Sequence, residues 1–326
     1  MNRAFRIVLT RIIAAIPTMA FVVIGAFVLL SLAPGDAVDA YLAQTGGSGG
    51  AGDDLRRRWG VGGSPPERMA AFAAGIFSGH LGQSIVHGRP VLDVVMERLP
   101  VTLTLMGLSL ALAVGLGGAL GLVAGARPGA PRDRALSASA LIVNAIPNFW
   151  LGLLLMLLLA VRAPLLPVGG LQTLGAPLTG WSAVIDRAQH LVLPTLALGL
   201  GYVALSMRAL RAGMAETWRA DHVRAARALG HRRRSLVWRA VARPAILPVV
   251  VLAGQQAGTM IGGSVVVETV FAIPGMGRLA FEAVSGRDPP LLVGVVLVST
   301  VLVLAINLIV DLTLARLDPR IGAADA

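Results

Sequence analysis

Six stretches of the chain are apolar over about the 20 residues that a helix needs to cross a hydrocarbon core of roughly 30 Å. They run from about Ile12 to Leu32, Leu99 to Ala126, Ala135 to Val161, Leu191 to Met207, Ala245 to Val267 and Leu291 to Val310. Pro147 interrupts the third. Neighbouring helices can satisfy a carbonyl freed by an intramembrane proline, so one kinked helix is expected there. The first run, about 21 residues, exceeds the 7–15 of a signal-peptide core. The expected fold is therefore all-α: a polytopic membrane protein with six transmembrane helices.

Charge orients the helices. The chain has 326 residues with a formal net charge of +11, mean hydropathy +0.76 and 14% charged residues. A soluble domain carries about 25% charged residues. Arg3, Arg6 and Arg11 precede the first span, which predicts a cytoplasmic N-terminus, and six spans return the C-terminus to the same side. On that topology the inside segments (the N-terminus, 127–134, 208–243 and the tail from Asp311) sum to +12. The outside segments (34–98, 162–190 and 268–290) sum to −1. A positive-inside membrane protein thus accounts for the basic pI without a nucleic-acid partner.

What is missing also excludes functions. All 28 basic residues are Arg, so there is neither a P-loop lysine for ATP nor a Schiff-base lysine. The absence of Cys removes disulfides, thiolate nucleophiles and cysteine metal clusters. His80 and His87 share an outside loop with no third ligand nearby, so no metal site is expected. No ionisable residue falls mid-span, whereas proton- and ion-coupled carriers usually need one. Glu268 and Asp311 are expected near span ends, within reach of water. The polar groups inside spans are neutral: Asn144 and Asn148 around Pro147, Gln255 and Gln256, and Asn307. They suit interhelical hydrogen bonds or a pathway lining. Two glycine stripes, Gly117–Gly121–Gly125 and Gly254–Gly258–Gly262, recur every four residues and predict close helix packing.

Two segments outside the bilayer carry pattern. Residues 66–78 place Met69, Phe72, Ala73, Ile76 and Phe77 on one helical face, as in an amphipathic surface helix. The segment 208–243 holds ten Arg. Within it Ala220 to Leu229 is helical in pattern, with Val223 and Ala226 on one face and Gly230 placed to stop the helix. A second short helix is expected from Arg233 to Ala242, after which Pro244 and Pro248 lead into the fifth span.

The stretch D-H-V-R-A-A-R-A-L-G, residues 221–230, resembles the cytoplasmic coupling motif of binding-protein-dependent ABC importer permeases. That motif is E-A-A, three residues, then Gly. Arg224-Ala225-Ala226 stands for E-A-A and Gly230 for the glycine, and Arg in place of the acid is typical of the dipeptide, oligopeptide and nickel branch. Further blocks resemble the same branch in order: R-I-I-A-A-I-P-T (11–18), L-A-P-G-D (32–36), G-H-L-G-Q-S (79–84), R-L-P-V-T-L-T-L (98–105), E-T-V-F-A-I-P-G-M-G-R-L (268–279), R-D-P-P (287–290), N-L-I-V-D-L (307–312) and L-D-P-R-I (317–321). Leu229 stands where the branch often has Lys, Pro244 where it often has Asn, and His80 where an acid is common.

The resemblance implies a permease subunit without catalytic residues or cofactor, located in the bacterial inner membrane. Residues 1–98 would comprise the first helix and an extracytoplasmic loop. Residues 99–326 would form the permease core, with five helices and the coupling loop 208–243. Asp221, Arg224, Ala225, Ala226, Arg227 and Gly230 would meet the ATPases. Asn144, Asn148, Gln255, Glu268, Pro274 and Gly275 are the candidates for pathway and outer gate. Implied partners are a second homologous permease, two ATP-binding subunits, an extracytoplasmic solute-binding protein and membrane lipid. Peptides are the first-choice substrate, with glutathione, nickel chelates, opines and sugars as alternatives within the branch.

Overall fold

The computed structural model describes residues 3–32, 79–175 and 178–317, with 67, 70, 74 and 75 besides. The expected surface helix through Met69, Phe72, Ala73, Ile76 and Phe77 lies outside the described residues, as do the glycine-rich 46–52 stretch and nearly all of the 317–321 block. Among the described residues the regular structure is helical, apart from an isolated bridge between Gln83 and Pro90. The principal helices are α1 (Arg3–Leu32), α2 (Val91–Gly125), α3 (Pro131–Ala145), α4 (Asn148–Leu155), α5 (Trp181–Thr217), α6 (Asp221–Ala228), α7 (Leu247–Val270), α8 (Met276–Ser285) and α9 (Pro289–Leu317).

Helices α1, α2, α5, α7 and α9 are each long and apolar enough to cross a membrane. The third expected span is not a single kinked helix. It is the pair α3 and α4, the latter continued by a π-helical stretch Met156–Arg162, and the two arms meet at 100°. Proline crowds the backbone of the residue before it and drives that residue out of the helical region. Ile146 accordingly has φ −83° and ψ 126°, and the helix cannot run through it. The fourth span is longer than its apolar core. The 37 residues of α5 make a rod of about 55 Å, so both ends extend past a bilayer's hydrocarbon.

Packing divides the chain into two compact units, residues 1–102 with 274–305 and residues 103–273 with 306–326. The first unit buries Leu81, Val91, Val95, Met276, Leu279, Leu291 and Val295 in one cluster. Asp288 fastens it. Its carboxylate, 1% exposed, accepts the Ser84 hydroxyl at 2.6 Å and the Val86 amide at 3.0 Å on one oxygen. The other oxygen takes the Leu291 amide at 3.1 Å, which makes Asp288 the N-cap of α9 with Pro289 at the first helical position. The 79–84 and 287–290 blocks are thus one hydrogen-bonded structure.

In the second unit the first glycine stripe does what its spacing predicts. A Cβ at Gly117 would stand 2.7 Å from the Val203 carbonyl oxygen, and one at Gly121 would stand 2.9 Å from that of Met207. One at Gly125 would stand 2.6 Å from the Met214 sulfur. Only hydrogen lets α2 lie this close to α5. The second stripe is only partly a packing device. Gly254 is pressed against Val310, but a Cβ at Gly262 would meet open space.

The end of α7 is also a correction. Glu268 is not within reach of water: it is 0% exposed. It lies in the last turn of α7, where the Ile273 amide returns to its carbonyl at 2.8 Å and the Ala272 amide to that of Thr269 at 3.2 Å. This closing turn puts Ala272 at φ 53°, a left-handed conformation that costs a non-glycine residue about 1–2 kcal/mol. Phe271, buried behind it, receives the Gly170 amide on its carbonyl at 2.8 Å.

Candidate functional site

The Arg-rich segment folds as a helical hairpin built onto the end of α5. The first arm is α6. Its stop is a Schellman turn: the Gly230 amide donates to the Arg227 carbonyl at 3.0 Å, and the His231 amide to that of Ala226 at 3.3 Å. Gly230 has φ 78°, which glycine adopts without a Cβ penalty. The return arm starts as a turn at Arg233–Ser235, continues as a π-helix over Leu236–Ala242 and closes with Arg243–Ala245 before α7. The expected helix from 233 to 242 is therefore present, in a wider-wound form.

The hairpin stands on a small apolar base. Val223, 0% exposed, packs with Leu210, Met214, Val241, Ala245 and Val249. His222 Nε2 reaches the Ala240 carbonyl at 3.0 Å across the two arms. With Val223 turned inward, α6 directs Asp221, Arg224, Ala225 and Arg227 to solvent, and Ala226 is half-buried. Arg224 pairs with Asp221 on that outer face. Leu229, at 79% exposure, adds an apolar projection beside Gly230.

A second set of contacts ties the hairpin to the short connection between α2 and α3. The Trp218 indole N–H donates to the Gly125 carbonyl at 2.9 Å, and the Arg227 and Arg233 guanidinium groups both lie over its ring at 5.6 Å. Arg233 also donates to the Ala126 carbonyl at 3.0 Å. Behind this, Asp133 is 1% exposed and gripped by Arg211 through both carboxylate oxygens, one contact measuring 2.9 Å. Asp133 also accepts the Gly129 amide at 2.7 Å and the Ser137 hydroxyl at 3.3 Å. Trp218, Asp133 and Arg211 were not singled out by sequence reasoning. The available signals were one of two tryptophans in a basic segment and a lone acid between Arg132 and Arg134.

Trp218→Ala should therefore loosen the hairpin by about 2 kcal/mol, the sum of a lost hydrogen bond and two cation–π contacts. Faster tryptic cleavage at Arg232 to Arg234 in the folded protein would report it. Unchanged cleavage would show that the indole does not hold the hairpin.

The pathway candidates are more scattered. Asn144, exposed, and Asn148, half-buried, flank the 100° bend. Gln255 is exposed on α7, while its neighbour Gln256 is buried and donates to the Ser206 hydroxyl at 3.3 Å. One turn on, Thr259 meets the Tyr202 hydroxyl at 3.2 Å. Glu268 is buried at the end of the same helix. Pro274, half-buried, and Gly275, buried, belong to the other compact unit and lead into α8.

Long apolar helices with an Arg-rich helical hairpin at one end define a multi-pass membrane protein. The family of binding-protein-dependent transport system inner membrane components matches residues 117–323. The chain belongs to this family, the permease subunits of ABC importers, and is a multi-pass component of the bacterial inner membrane with a transport role. It is 33% identical over 319 residues to the oligopeptide transport system permease protein AppB of Bacillus subtilis, covering 96% of this chain and 98% of that one. It is 36% identical over 318 residues to a putative peptide permease protein of Brucella ovis, covering 97% and 98%. A probable peptide ABC transporter permease protein of Sinorhizobium fredii is 33% identical over 314 residues, covering 96% and 98%.

Proposed function

We propose that this permease carries peptides inward across the membrane as one half of a two-permease pathway, driven by two separate ATP-binding subunits and supplied by an extracytoplasmic solute-binding protein. The peptide reading is supported by the names of the relatives, which are oligopeptide or peptide permeases along nearly their whole length. Both termini and the hairpin lie in the cytoplasm, in keeping with the positive-inside charge balance. Residues 1–98 bring the first helix and the outer loop, and residues 99–326 the core of four long helices and the broken pair α3–α4. Neither region supplies a lysine for ATP, so hydrolysis belongs to other chains.

One observation carries the mechanism: α6 offers its outer face to solvent while Val223 and the stacking of Arg227 on Trp218 hold it at the end of the long helix α5, which the Asp133–Arg211 pair ties to α3. A rigid lever of this kind converts displacement of its tip into tilt of a spanning helix. Asp221, Arg224, Ala225, Ala226, Arg227 and Gly230 form the docking surface. ATP must favour one state of the ATPases over the other for the permease to alternate. Asn144, Asn148 and Gln255 line the pathway, because polar groups that a span leaves wholly or partly uncovered are costly against lipid and suit a wet passage. Glu268, Pro274 and Gly275 lie in the 268–290 block, which we assign to the outer gate.

Affinity purification of the tagged chain from its native membrane should bring two ATPase subunits and a second permease. Reconstituted with the binding protein, the complex should take up trialanine only while ATP is hydrolysed. Uptake that persists with a non-hydrolysable nucleotide would sink the ATP-driven reading.

A further inference from the structure

On α5, Leu205, Arg208 and Ala212 recur at helical spacing as one exposed face. Arg208 stands in the wall of a cavity of about 450 Å³, shared with Ser137 and Leu141 of α3, Arg211 of α5 and Leu252 of α7. That volume suits a small ligand or the end of a larger one. The two arginines are not equivalent. Arg211 is committed to Asp133 through both carboxylate oxygens, so its charge is compensated. Arg208 makes no hydrogen bond or ion pair among the described residues. The cavity therefore holds one uncompensated guanidinium against leucine walls. Further along α5 and α7, away from the hairpin, stand Gln255 and the Tyr202–Thr259 hydroxyl pair. Arg208 lies nearer the hairpin along α5 than Tyr202 does, and it carries a charge where these groups do not.

We propose that Arg208 is a carboxylate-binding residue at the inner end of the pathway. It receives the C-terminal carboxylate of a passing peptide while Leu141, Leu205 and Leu252 receive its last side chain. The planar guanidinium can donate two parallel N–H bonds to a carboxylate, which an ammonium matches only as a point charge. A single arginine open to water holds such a group without trapping it. The inference rests on the peptide reading, since a peptide is what brings a terminal carboxylate to this place.

Two measurements test it. The assembled importer, in nanodiscs of zwitterionic phosphatidylcholine, is treated with the arginine reagent phenylglyoxal, and modification of Arg208 is followed by mass spectrometry. Trialanine should slow that modification several-fold, and trialanine amide should not. Equal slowing by both, or by neither, overturns the proposal. So does protection conferred by phosphatidylglycerol in the nanodisc and not by trialanine, which would make the cavity a lipid headgroup site. In reconstituted uptake, Arg208→Gln should reduce trialanine transport about tenfold, the scale of one charge-assisted hydrogen bond. It should spare trialanine amide, and Arg208→Lys should recover part of the loss. Normal trialanine uptake by Arg208→Gln overturns the role of Arg208 and leaves peptide transport standing. No peptide uptake by the unmodified importer overturns the peptide reading instead, and Arg208 is then judged on protection alone.

Discussion

Proline at position 230 is expected to reduce ATP-driven uptake more than tenfold while the protein still inserts into the membrane. The native residue has φ 78°, and a pyrrolidine ring is locked near −65°. Proline also removes the amide that donates to the Arg227 carbonyl at 3.0 Å. The turn cannot form, so α6 loses its stop and the return arm its starting direction. Val223 and Trp218 would then no longer be held on one base. Insertion is spared because the spanning helices satisfy their own backbone groups and the hairpin lies beyond them. Gly230→Ala gives the graded control. A Cβ there meets open space, so the cost is backbone strain alone, about 1 kcal/mol. Deleting residues 221–234 sets the upper limit and should abolish co-purification of the ATPases. The readouts are permease content of the membrane fraction and uptake in proteoliposomes. Full uptake by Gly230→Pro would remove α6 from the coupling step.

What the sequence foretold and what it concealed differ in range. A span, a glycine stripe and a helix stop are local patterns, and Gly117, Gly121, Gly125 and Gly230 all stand where their spacing put them. Periodicity also put Val223 and Ala226, which are buried and half-buried, on one face of α6. It carries no information about partners far along the chain. Nothing near Ser84 points to Asp288, 204 positions away. Nor does anything near Trp218 point to the carbonyl of Gly125. Depth is likewise non-local: a glutamate one turn from a helix end is wet or dry according to what packs on it, and Glu268 is dry. Pro147 shows a third limit. A proline in a spanning helix either kinks it or breaks it, and the extended Ile146 in front of it decides for a break. Gly262 follows the same rule as Glu268, since spacing gave it a face but not a neighbour. The candidate site was thus legible as a segment, while the contacts that make it a lever were not.

Those long-range contacts predict the second large effect, in the other compact unit. Asp288→Ala should destabilise it by about 3–5 kcal/mol, because a buried carboxylate leaves three donors stranded. The Ser84 hydroxyl at 2.6 Å and the Val86 amide at 3.0 Å would face a methyl group, and α9 would lose its N-cap at the Leu291 amide. Asp288→Asn keeps one acceptor oxygen, enough for the cap or for the loop but not for both, and should cost about half as much. Ser84→Ala removes a donor together with its need for a partner but leaves the His87 amide, which donates to the Ser84 hydroxyl at 3.0 Å, without its acceptor, and should cost about 2 kcal/mol. The Ser84→Ala, Asp288→Ala double variant should fall short of the sum of the single changes, since the two side chains share one bond. Thermal unfolding in detergent gives the ranking, and hydrogen exchange at the Val86 amide locates it. If Asp288→Ala leaves both the melting temperature and that exchange rate unchanged, the carboxylate is not what joins the 79–84 segment to the start of α9.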